Sequence, residues 1–92
     1  MGKISADQLR ELIIAIIIEN AEVRASVGPV WHPPFIDLED LPAEFDTALD
    51  EINEVRTGQK LARVEVLQDF KTAVIDTLVR RMESAGRVLV RG

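Results

Sequence analysis

His32 is the only imidazole in the chain, and Asp37, Glu39 and Asp40 are the nearest groups that could join it around a metal. Zinc catalysis needs about three protein ligands at a recognisable spacing. One histidine between Trp31 and Pro33 does not provide that. The chain has no cysteine, which removes thiolate nucleophiles, disulfides and zinc–thiolate sites. Ser5 sits where a helix cap is expected, and Ser26 and Ser84 sit near helix ends, so none of the three lies in a nucleophile elbow. Carboxylates are abundant, but they fall on what should be a wet surface, where no desolvation lifts a pKa for acid catalysis. The glycines are dispersed and form no phosphate-binding loop. The expectation is a non-enzymatic protein without catalytic, metal-binding or cofactor-binding residues.

Residues suited to recognition are easier to find. Asp37, Glu39, Asp40, Glu44, Asp46, Asp50, Glu51 and Glu54 follow one another without an intervening Lys or Arg. Such a segment makes a negative surface. Asp46, Asp50 and Glu54 are its candidate contact residues, for a basic partner or as a phosphate mimic that inhibits a nucleic-acid-binding protein. Arg80, Arg81, Arg87 and Arg91 make the other end basic, suited to phosphate or to the acidic segment of another copy. Residues 1–57 hold four basic and twelve acidic side chains, whereas residues 58–92 hold seven basic and four acidic ones. The two parts therefore carry opposite charge. Trp31 and Phe35 lie among Pro29, Pro33 and Pro34, which stiffen the backbone and lower the entropy cost of an aromatic anchor. They either plug the protein's own bundle or enter a partner.

Thr72 to Ala85, followed by Gly86-Arg87-Val88-Leu89-Val90, resembles the recognition helix and first wing strand of winged-helix DNA-binding proteins. The resemblance implies a small DNA-binding regulator that uses the C-terminal arginines. It covers only this local stretch. Leu67 to Ala73 contains no Gly, Pro or Asn for the turn such proteins place before that helix.

Helical signals surround these residues. Ser5 with Gln8 three residues later has capping-box spacing, and Ile4 and Leu9 can form a hydrophobic staple. They start a first helix over about 6–25. Leu12 to Ile18 is uninterrupted apolar sequence that covers the whole circumference of the helix. Ile14, Ile17 and Ile18 are accordingly candidate partner-binding residues. A Pro-rich loop spans 27–36. Asp40 and Pro42 open a second helix over about 41–56, with Phe45, Ala48, Leu49, Ile52 and Val55 as its apolar stripe and Gly58 as a left-handed terminator. Leu61, Val64, Leu67, Phe70, Val74, Leu78 and Met82 continue at helical spacing, which predicts a third helix over about 59–85 and an extended tail over 87–92. That third helix would be roughly 40 Å long, against a radius of gyration of about 12 Å for a compact chain of this size. Either it breaks, or it leaves apolar surface for another chain.

The expected fold is all-α: one three-helix domain over 1–92 with a long C-terminal helix, helices 2 and 3 forming an antiparallel hairpin around helix 1. The chain is 47% hydrophobic and 29% charged, enough for a core and a wet surface. Its net charge of −5 argues against non-specific attraction to nucleic acid or anionic membrane. No apolar run approaches the roughly 20 residues of a spanning helix, and no leader pattern precedes the first helix, so the expected location is cytoplasmic. The expected role is a protein-interaction or assembly subunit, as a homo-oligomer or within a larger complex.

Overall fold

The computed structural model describes residues 3–29, 35–86 and 88–90. Trp31, His32, Arg87, Arg91 and the centre of the Pro-rich loop lie outside this set, and for Phe35 and residues 88–90 only the backbone is described.

Helix α1 spans Ala6–Val27. Its capping box is complete. The Gln8 N–H donates to the Ser5 hydroxyl at 3.1 Å, and the Ser5 N–H donates to the Gln8 side-chain oxygen at 3.2 Å. The β-branched isoleucines become helical because burial outweighs their weak propensity. Leu9, Ile13, Ile14, Ile17 and Ala21 turn one face into the core. Three strand residues, β1 (Phe35–Asp37), place Ile36 in that core. A 3-10 turn, Leu38–Asp40, then leads into α2 (Leu41–Gly58). Asp40 precedes α2 but its side chain caps nothing; Asp37 instead accepts the Glu39 N–H at 3.0 Å. From α2, Leu41, Phe45, Ala48 and Ile52 are buried. Val55, expected on the apolar stripe, is 60% exposed.

The terminus of α2 differs from the expectation that Gly58 closes it. Gly58 is helical, and the left-handed residue is Lys60, with φ of 62°. The Leu61 N–H donates to the Arg56 carbonyl at 2.8 Å and the Lys60 N–H to the Thr57 carbonyl at 3.0 Å. This is the Schellman pattern, shifted two residues beyond the glycine.

The continuous third helix over 59–85 is also corrected. Helix α3 spans Gln68–Ser84, and residues 61–67 run as a non-helical strap. The cause is a polar residue on α2. Asn53, 2% exposed, donates from Nδ2 to the Val64 carbonyl at 2.9 Å and accepts the Val64 N–H at 2.6 Å. The side-chain amide thus satisfies both backbone groups of Val64 as a neighbouring strand would, and an Asn buried without these bonds would be costly. Arg56 Nε adds a bond to the Ala62 carbonyl at 2.8 Å. The strap folds back along α2, so α3 begins beside the N-terminal half of α2. There Phe70 meets Phe45 edge-on at 6.4 Å and Lys71 reaches Asp46 at 2.9 Å. An antiparallel hairpin would have set the start of α3 beside the end of α2; the expected hairpin of helices 2 and 3 is therefore not formed. Val74, Leu78 and Met82 complete the core.

Gly86, with φ of 69°, ends the turn after α3. Strand β2 (Val88–Val90) then pairs in parallel with β1: Phe35 lies opposite Val88, Ile36 opposite Leu89 and Asp37 opposite Val90. The molecule is a small helical bundle with this short ladder attached. No described helix is long and apolar enough to cross a membrane.

Candidate interaction surfaces

Burial redistributes the residues that the sequence nominates for a partner. Ile14 and Ile17 are buried in the chain's own core, and Ile18 is half-buried against it. Ile14 and Ile17 are thus corrected from partner contacts to core residues: α2, α3 and β1 already cover that side of α1. A flank of α1 bordering that buried face stays partly open. Leu12 is 45%, Val23 52% and Val27 75% exposed, with Ile16 half-buried between them. At 100° per residue these four positions fall within one narrow sector of the helix. This flank is the apolar surface that the sequence reading missed. Its signal was present, since Val23 and Val27 continue the spacing of Leu12 and Ile16 beyond the isoleucine run.

Beside that flank, α1 and α2 enclose an open groove of about 690 Å³, whose lining includes Asn20, Val23, Arg24, Asp40, Glu44 and Glu51. Arg24 Nη2 bonds Glu44 Oε1 at 2.9 Å across it. Glu44 Oε2 is buried without a hydrogen-bond partner among the described residues. The groove is acidic along its α2 wall, with one cation from α1.

Asp46, Asp50 and Glu54 are all exposed on α2 and recur every fourth residue, so they line up along one flank. Asp46 is paired with Lys71, whose ammonium also stands 5.6 Å from the centre of the Phe45 ring. Of the basic set, Arg80 is exposed and Arg81 is engaged. Its two terminal nitrogens donate to Glu11 at 2.6 and 2.9 Å, in a fork-on-carboxylate arrangement. That bond, followed by the one from Arg10 Nε, holds the Glu11 carboxyl down at about 2, and Glu11 in turn raises the Arg81 pKa. Arg81 is therefore a link between α3 and α1, with less capacity for an external phosphate than an unpaired arginine.

The exposed carboxylates Asp46, Asp50 and Glu54 share one flank of α2, whereas Arg80 and Arg81 belong to α3. Among the described residues, no group of three or more His, Asp or Glu side chains is placed to hold a metal ion. No known protein family, curated protein or solved structure matches the chain.

Proposed function

We propose that this chain is a non-enzymatic interaction or assembly subunit, contacting another polypeptide through the outer flank of α1. The observation that carries the reading is the aligned exposure of Leu12, Val23 and Val27 beside half-buried Ile16. Covering an exposed Leu or Val side chain contributes on the order of 1 kcal/mol or more each. A strip of this kind suits the groove of a partner helix or a second helix packed against it. Replacing Leu12 and Val23 with Glu should leave the core intact and weaken association at least about tenfold. Sedimentation equilibrium, or binding to a partner recovered with the native chain, measures this. Unchanged association in the double variant would refute the reading.

A second reading rests on Asp46, Asp50 and Glu54, whose carboxylates form an exposed line suited to a basic surface, including that of a nucleic-acid-binding protein. Charge reversal at these three positions should abolish such inhibition without unfolding the chain. The DNA-binding alternative draws on Arg80, Arg81, Arg87 and Arg91. It is the weaker one, because Arg81 is held by Glu11.

A further inference from the structure

We propose that residues 59–67 are a hinge through which two copies of this chain exchange α3 and β2. The inference deepens the assembly reading, rests on it, and names the partner as a second copy. It begins from a conflict within the strap. Leu61, Val64 and Leu67 share the helical spacing of Phe70, Val74 and Leu78, and no Gly or Pro lies between 59 and 85. The local sequence therefore suits a helix continuous with α3, whereas the folded chain keeps 61–67 out of any helix.

The strap is held closed by the two bonds between Asn53 and Val64, the bond from Arg56 to Ala62, and the packing of Val64 and Val66 against the core. Against them stand three costs. Lys60 occupies the left-handed region, which a residue with a Cβ enters reluctantly. Leu67 is 79% exposed. The start of α3 has no side-chain cap. If the strap became helical, 41–84 would form one rod roughly 65 Å long. Phe70 could then no longer meet Phe45 of its own copy, and Val74, Leu78 and Met82 would leave their own core. Only a second identical chain offers the same Phe45, the same β1 edge and the same cavity. The exchanged dimer repeats the closed chain's core contacts, so at a given chain concentration the balance between the two forms turns on the strap.

The two forms are distinguished by their response to strap variants. Asn53→Ala removes the clamp and should raise the dimer fraction several-fold after refolding at millimolar concentration. Lys60→Gly relieves the left-handed turn and disfavours helix, so it should lower the fraction. Size-exclusion chromatography with light scattering reads the mass, and circular dichroism of the separated species should show more helix per chain in the dimer. The order Asn53→Ala above the native chain above Lys60→Gly supports exchange. Equal dimer fractions in all three, or a monomer throughout, overturns it. Association that responds to Leu12→Glu with Val23→Glu but not to the strap variants also overturns exchange, while leaving the α1 contact standing.

Discussion

Asn53 and Glu11 show how one polar side chain can decide a local outcome. Asn53 works because an amide offers a donor and an acceptor side by side, matching the carbonyl and N–H of Val64. Asn53→Asp keeps the acceptor and loses the donor. Once ionised, it would face the Val64 carbonyl with like partial charge in a buried site, which raises its pKa. A raised carboxylate pKa means stability present at low pH and lost as pH rises through that value. Urea unfolding of this variant should therefore give a deficit of roughly 2–3 kcal/mol near neutrality, shrinking in acid where the protonated oxygen donates again. A deficit independent of pH would contradict the donor role. Glu11 behaves oppositely. Its folded pKa of about 2 lies below the ordinary 4.5, so its pairing with Arg81 stabilises the chain above pH 4.5 and is lost as pH falls toward 2. The difference in urea midpoint between the native chain and Glu11→Gln should be constant near neutrality and vanish across that acid window.

Helices show which parts of this architecture are written locally. Ser5 with Gln8 marks the start of α1 because both partners of the capping box lie within one turn. The stripe of α2 is legible through Phe45, Ala48 and Ile52 for the same reason. The strap is not legible, since its determinant, Asn53, lies eleven residues before Val64 and periodicity alone cannot weigh a distant clamp. Within the isoleucine run every position is apolar, so only packing reveals which side stays open, although Val23 and Val27 beyond the run continue the spacing of Leu12 and Ile16. The end of α2 yields a test. Gly58 is helical with open space at its missing Cβ, whereas Lys60 holds the left-handed angle. Gly58→Ala should stabilise the fold by about 0.5–1 kcal/mol through helix propensity. Lys60→Gly should add a comparable gain by relieving the turn, less the entropy that glycine gives the unfolded chain. Thermal melts of the single and double variants check both signs. Gly86→Ala, at φ of 69°, should instead lower the melting temperature.

At the scale of the whole molecule, two surface chemistries are offered: the apolar flank of α1 and the carboxylates Asp46, Asp50 and Glu54 of α2. They respond oppositely to solvent. Exposed charges are screened beyond about 10 Å at 0.1 M salt, so a complex formed through Asp46, Asp50 and Glu54 should weaken steadily as sodium chloride is added. A complex formed through Leu12, Ile16, Val23 and Val27 buries hydrocarbon. It should change little with sodium chloride and tighten in sulfate, which strengthens effective burial. Burial of that surface also gives a negative heat-capacity change on binding. The acidic groove next to Val23 adds a modest ionic contribution at most, because Arg24 already engages Glu44 there. For the α1 contact, calorimetry across temperature and salt should therefore find a shallow sodium chloride dependence together with a negative heat-capacity change. A steep loss of affinity in sodium chloride with no heat-capacity change would transfer the interface from α1 to the carboxylates of α2.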